Sequence, residues 1–197
     1  MDRSVFFSEV RNHLFAGSMN QGQVDGCTAI LDAWDNHAPL SDPRFVAYSF
    51  ATAFHETART MQPIAEIGHG RGRSYGSPAG PYHQIYYGRG LVQLTWLNGY
   101  RVATKQLRAH GVIDGSIDLE QTPDLAMRPD IAAAVLVFGM VEGWFCPGRK
   151  LTTYFAGTRS DWVDARAIIN GHDKAALIAS YGLQFYHALV SATARAA

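Results

Sequence analysis

Tyr86-Tyr87-Gly88-Arg89-Gly90-Leu91-Val92-Gln93-Leu94-Thr95-Trp96 brings amide, hydroxyl and aromatic side chains together in one short run of the 197-residue chain. A sugar offers hydroxyls at its edge and C–H bonds on its face, and this set of groups suits both. The plainer reading is aromatic residues that pack and glycines that turn. The run closes a longer stretch, Met61 to Tyr87, in which no helical or strand period survives. Five glycines (Gly68, Gly70, Gly72, Gly76, Gly80) and three prolines (Pro63, Pro78, Pro81) punctuate it. A loop this long inside a compact domain is uncommon and is usually functional or disordered. Tyr75, Tyr82, Tyr86 and Tyr87 argue against simple disorder, and a short strand or hairpin within the loop is compatible with the pattern.

On either side of the loop the pattern is helical. Phe6, Val10 and Leu14 recur every four residues after a cap at Asp2 or Ser4. Val24, Cys27, Leu31 and Trp34 form a second stripe, which Pro39 and Pro43 end. Asp42 as N-cap and Pro43 in the first turn open a third helix, with Val46, Phe50, Ala53, Phe54 and Thr57 on one side and Glu56 at the flank. C-terminal to the loop, a helix is expected from about Trp96 to His110. An irregular stretch follows over Asp118 to Arg128, then a strongly apolar helix from Pro129 through Ile131, Val135, Phe138 and Val141. Trp162, Ala165 and Ile169 predict a short helix stopped by Gly171; Leu177, Tyr181, Phe185 and Leu189 predict the last. The expectation is one mainly α domain over 1–197, with a helical part over 1–60, a cleft loop over 61–88 and a second helical part over 89–197.

Composition narrows the function. Seventeen basic residues balance seventeen acidic ones, without the basic excess of a dedicated nucleic-acid binder or a polybasic patch for membrane surfaces. No run approaches the ~20 apolar residues of a transmembrane helix, so stable membrane insertion is not expected. Met1 to Phe15 contains Asp2, Glu9 and Arg11 and lacks the apolar core of a signal peptide, which predicts synthesis in the cytoplasm. Cys27 and Cys146 are too few for a disulfide framework and read as small buried thiols.

Glu56 and Glu66 are the first candidates for chemistry, both near the end of the third helix. Glycosidic cleavage usually needs one protonated carboxyl group and one ionised one. A gap of ~6.5–9.5 Å between them gives inversion, and ~5–5.5 Å gives retention. Two glutamates ten residues apart are also compatible with a solvated surface. His55-Glu56 does not extend to a zinc helix, because the residue four after His55 is Arg59, which cannot ligate; no metal and no cofactor is expected. Gly68, Gly70 and Gly72 with Arg71 and Arg73 lack the strand and helix that a dinucleotide site requires, and they read as a cleft wall.

Ala53-Phe54-His55-Glu56-Thr57-Ala58 resembles the segment of family 19 chitinases that carries the catalytic acid. Tyr86 to Trp96 resembles that family's most recognisable stretch, and Ile168-Ile169-Asn170-Gly171 its later cleft motif. Leu125 to Trp144, with Pro129, is similar to the helix between them. Met61-Gln62-Pro63-Ile64-Ala65-Glu66 resembles the phage and prophage endolysin branch, whose members are lysozyme-like in fold and cut peptidoglycan. The resemblance implies a monomeric glycoside hydrolase that needs no cofactor, is released to the cell wall through a holin, and hydrolyses with inversion. By position it implies Glu56 as general acid, Glu66 as second carboxylate and Thr95 as holder of the attacking water. His55, Tyr75, Tyr87, Arg89, Gln93, Trp96, Asn98 and Asn170 would contact substrate or frame the site. The plant-type base position is Ser77 here, which departs from the chitinase pattern, and Asn98-Gly99-Tyr100 replaces the usual Asn-Tyr. Burial beside Phe54 would keep Glu56 protonated. Chitin hydrolysis and non-catalytic glycan binding remain the alternatives.

Overall fold

Local capping chemistry marks where the first three helices begin. In the computed structural model, which describes residues 1–39 and 41–196, Asp2 accepts the Ser4 and Val5 amides and opens α1 (Arg3–His13). Asn20 and Gln23 cap α2 (Gln21–His37) reciprocally. Asp42 and Pro43 open α3 (Pro43–Glu56), whose final residue is Glu56, with Thr57 as C-cap. The long loop follows. Its two ends are tied by an antiparallel pair, β1 (Ile64–Ala65) and β2 (Arg89–Gly90), with Ile64 opposite Gly90 and Ala65 opposite Arg89. Next come α4 (Leu97–Ala109), a 3-10 turn over Pro123–Met127, and α5 (Pro129–Glu142). The chain then forms α6 (Leu151–Tyr154), a second antiparallel pair of β3 (Phe155–Ala156) with β4 (Arg159–Ser160), a 3-10 turn over Asp164–Ile168, and α7 (Ala175–Ala194).

α5 is the hub. Proline at its first turn lacks only an N–H that would be unpaired anyway, and Gly143 ends it in the left-handed conformation. Ile131 to Met140 are all buried, so the helix is apolar around its whole circumference, as a surrounded helix must be. α2, α3, α4 and α6 pack on it, while α7 packs on α3 and α1. A run of aromatic contacts joins α1, α3 and α7: Phe6–Phe50 at 5.2 Å, Phe50–Phe185 at 5.1 Å and Phe54–Tyr181 at 4.9 Å. These rings hold the end of α3, and therefore Glu56, against the body of the protein.

The short strand that the pattern allows within the loop is present as β1, whose pairing with β2 ties the loop's ends, and an isolated bridge joins Ala79 and Gln84. The segment from Trp162 to Ile169 forms a 3-10 turn in place of an α-helix, and the β3–β4 pair was not expected at all. Strands of two residues carry no alternation to read, and an apolar spacing of three to four fits either kind of helix. Leu177, placed on the apolar stripe of the last helix, is exposed. No described helix is long and apolar enough to cross a membrane.

Candidate active site

Glu56 projects from the last residue of α3. Its Oε1 accepts from Arg166 Nη1 at 2.6 Å. Arg166 sits on the turn before α7, is 2% exposed, and donates from Nε to the Asp173 carbonyl at 3.0 Å. Only 15% of the Glu56 side chain is exposed. A buried guanidinium without a carboxylate would be strongly unfavourable, so the two groups depend on each other. Arg166 has no place in the sequence reading. The one available signal is its chemistry: a single cation in the apolar run Ala165-Arg166-Ala167-Ile168-Ile169.

Glu66 lies at the foot of the loop. Its amide donates to the Gly88 carbonyl at 2.7 Å. Its carboxylate accepts the Tyr75 hydroxyl on Oε1 at 2.9 Å and the Gly88 amide on Oε2 at 3.1 Å. One carboxylate thus ties the glycine-rich loop, through Tyr75, to the start of the Gly88–Trp96 run. Tyr75 in turn meets Trp96 edge-to-face, with ring centroids 5.3 Å apart.

The Gly88–Trp96 run is held in unusual backbone geometry. Gln93 (φ 55°) and Trp96 (φ 66°) both adopt left-handed angles, each costing of order 1–3 kcal/mol unless the surroundings impose it. The surroundings do so here: Gln93 Nε2 donates to the Ile64 carbonyl at 3.1 Å, and the Trp96 amide to the Tyr86 carbonyl at 2.9 Å. Trp96 is left 52% exposed, an indole face open to solvent at the mouth of a cavity.

That cavity is about 670 Å³. Glu56, Tyr75, Gln93, Thr95, Trp96, Asn98 and Asn170 line it, so the structure gathers seven of the eleven residues singled out from the sequence. Trp144, Phe145 and Cys146, which follow α5, complete the wall and were not singled out. Phe145 is seated where Gly139 leaves room, since a Cβ there would fall 2.2 Å from the ring. Trp144 donates its indole N–H to Glu142 at 2.8 Å, and Glu142 also meets His110 at 2.7 Å. Cys27 and Cys146 are free thiols. Cys27 is buried, but Cys146 lies on the cavity wall, which corrects the reading of both as buried.

Four expected site residues lie off the cavity lining. Glu66 stands behind Tyr75. His55 is half-buried, and that burial lowers its pKa despite the neighbouring Glu56 carboxylate. Tyr87 is covered by the stacked His69 ring at 4.6 Å and by the Arg89 guanidinium, 3.5 Å from its centroid. Arg89 is the clearest correction. It is 5% exposed, ion-pairs with Asp124 at 2.7 Å, and donates to Tyr100 Oη at 3.1 Å and to the Ile85 carbonyl at 3.0 Å. It braces the loop end from behind, and Arg166 supplies the guanidinium at Glu56. Among the described residues no group of three or more His, Cys, Asp or Glu side chains is placed to hold a metal ion.

No family model matches the chain, and no curated protein matches it. Solved structures do. Chitinase C from Streptomyces griseus HUT6037 is 21% identical with a TM-score of 0.57, the match covering 94% of this chain and 75% of that one. A glutamate-to-glutamine mutant of a chitinase C matches at 21% identity and TM-score 0.55 over the same shares. The likeness is one of fold, the mainly helical lysozyme-like architecture expected from the sequence.

Proposed function

We propose that this chain is a glycoside hydrolase that cuts β-1,4 bonds in the glycan strands of bacterial peptidoglycan, in the manner of a lysozyme-like endolysin. The observation that carries the proposal is Glu56: a nearly buried carboxyl group, paired with Arg166, opening into a cavity walled by aromatic rings and amides. Tyr75, Trp96 and Trp144 offer faces to sugar C–H bonds. Gln93, Asn98 and Asn170 offer donors and acceptors to hydroxyl and N-acetyl groups.

In this reaction Glu56, paired as a carboxylate with Arg166 in the free protein, takes up a proton from solvent and then gives it to the glycosidic oxygen as the bond from that oxygen to the anomeric carbon breaks. Water attacks the anomeric carbon from the opposite face, oriented by Thr95; its proton passes to the hydroxyl oxygen of Tyr75, which lines the cavity, as the Tyr75 hydroxyl proton passes to Glu66. The product has the inverted configuration. Arg166 holds the Glu56 carboxylate in place once the proton has left.

Chitin hydrolysis is the second reading, favoured by the names of the fold neighbours. Mass spectrometry of products from purified sacculi, with Glu56→Gln alongside, separates the two. New reducing ends from wild type, reduced by at least ~10²-fold in the folded variant, support the proposal. Intact sacculi with chitin oligomers cut instead would move the substrate to chitin. Binding with neither substrate cut would make the protein a glycan-binding module.

A further inference from the structure

Formal charge cancels over the whole chain but not around the cleft. Away from it most arginines are neutralised: Arg3 by Asp32 and Asp35, Arg101 by Glu120, Arg108 by Asp118, Arg128 by Asp130. Arg71, Arg73, Arg149, Lys150 and Lys174 are all exposed, and among the described residues none of them has a carboxylate partner. All five belong to segments that build the cleft. Arg71 and Arg73 lie on the loop that Glu66 anchors through Tyr75, and the charge of Arg73 is felt by the Tyr75 phenol. The Arg149 amide donates to the carbonyl of Cys146, on the cavity wall, at 3.1 Å, and Lys150 follows it. Lys174 follows Asp173, whose carbonyl accepts from Arg166.

The acids of the same region offset these cations only in part, since a carboxylate that accepts from a neutral donor keeps its formal charge. Glu56 is matched by Arg166, Glu66 is bonded to Tyr75 and Gly88, and Glu142 accepts from Trp144. Asp173 is exposed beside Lys174, and the exposed Asp164 meets His172 at 3.7 Å. A chain of N-acetylglucosamine is uncharged and gains nothing from such a rim. A peptidoglycan strand carries stem peptides on alternate sugars, and their free carboxylates project away from the glycan backbone. With the backbone in the cleft, those carboxylates reach its banks, where an arginine fork binds a carboxylate through two parallel hydrogen bonds.

We propose that Arg71, Arg73, Arg149 and Lys150, on two segments beside the cleft, bind the stem-peptide carboxylates of a peptidoglycan strand seated in it. This deepens the function proposed above and rests on it. Lys174 is omitted from the set because Asp173 adjoins it.

The test is a cycle on two ligands, run in the Glu56→Gln background so that nothing is cut. Binding is measured by sedimentation on Gram-negative sacculi, which carry no teichoic acid, and on the same sacculi with their carboxyl groups converted to methylamides. A second protein adds Arg71→Gln, Arg73→Gln, Arg149→Gln and Lys150→Gln. Each exposed pair contributes roughly 1.5- to 5-fold, so the fourfold variant is expected to bind native sacculi at least about fivefold more weakly, with a flatter salt dependence. On amidated sacculi the two proteins should bind alike, because the partner charge has gone. Equal binding to native sacculi by both proteins would overturn the proposal. So would an equal loss on both ligands, which would mean a damaged cleft. Because the readout is binding, it stands apart from whether the wild-type enzyme cuts sacculi.

Discussion

A carboxylate on the last residue of a helix faces the negative end of the helix dipole, which disfavours a charge there by ~0.3–1 kcal/mol. Glu56 occupies that position at the end of α3, and the guanidinium of Arg166 at 2.6 Å compensates for it. Removing the cation should therefore cost stability as well as activity. Arg166→Met is expected to destabilise by ~2–4 kcal/mol, because it strands a nearly buried carboxylate, and to lower Tm by roughly 4–16 °C. Adding Glu56→Gln should restore much of that loss, since no charge is then left unpaired; a calorimetric cycle over the four proteins checks this coupling. Glu66 bears a different load. Glu66→Gln keeps one acceptor and the side-chain volume, so Tm and KM should stay near wild type while kcat falls ~10²-fold or more. A kcat within a few-fold of wild type would make Glu66 a brace for Tyr75 and Gly88 and place the base elsewhere on the loop.

At the scale of elements, the cleft is built where helices end. α3 delivers Glu56, the turn before α7 delivers Arg166 and Asn170, and the segment leaving α5 delivers Trp144, Phe145 and Cys146. The last wall depends on a missing side chain, since the Phe145 ring occupies the space a Cβ on Gly139 would need. Gly139→Ala should cost ~1–3 kcal/mol through overpacking and push the aromatic wall outward, raising KM more than it lowers kcat. Steady-state kinetics with a melting curve reads both effects. Recovery of KM in the double variant with Phe145→Leu would identify the ring as the cause, and a KM unchanged in Gly139→Ala would show that this wall is not used. Element ends are also where sequence reading is weakest. The apolar stripe of α5 and the Asp42–Pro43 start of α3 are legible because many residues repeat one pattern. The β1–β2 and β3–β4 pairs involve two residues a side and repeat nothing.

Across the molecule, two half-buried histidines link stability to pH. Burial lowers the pKa of His37 below the free value of 6.5, helped by the nearby His110, and burial lowers that of His55 too. The unfolded chain then binds more protons than the folded one as pH falls below 6.5, so the stability these groups support is complete above that pH and is lost as pH drops through their lowered values. Asp42 and Asp130, whose arginine partners lower their pKa values, act in a separate window at more acidic pH. A melting series from pH 8 to 5 should show Tm falling across the lower half, and His37→Gln with His55→Gln should flatten it. An unchanged slope in that double variant would assign the loss to other groups.

Periodicity, caps and one dense run of polar and aromatic residues were enough to determine a mainly helical domain, and together with the family resemblance they marked half of the cavity lining. Glu56, Tyr75, Gln93, Thr95, Trp96, Asn98 and Asn170 all reach that cavity, because local pattern decides which face of a short segment is apolar and which is available. Tertiary structure alone decided the partners. Arg166 stands 110 residues from Glu56 in the chain, and no local pattern records that pairing; the two meet because α7 packs on α3 and carries the preceding turn with it. The same holds for Arg89. Its neighbours along the chain mark it as a site residue, yet Asp124 and Tyr100 draw it inside, since a guanidinium is buried wherever the fold supplies enough acceptors to replace water.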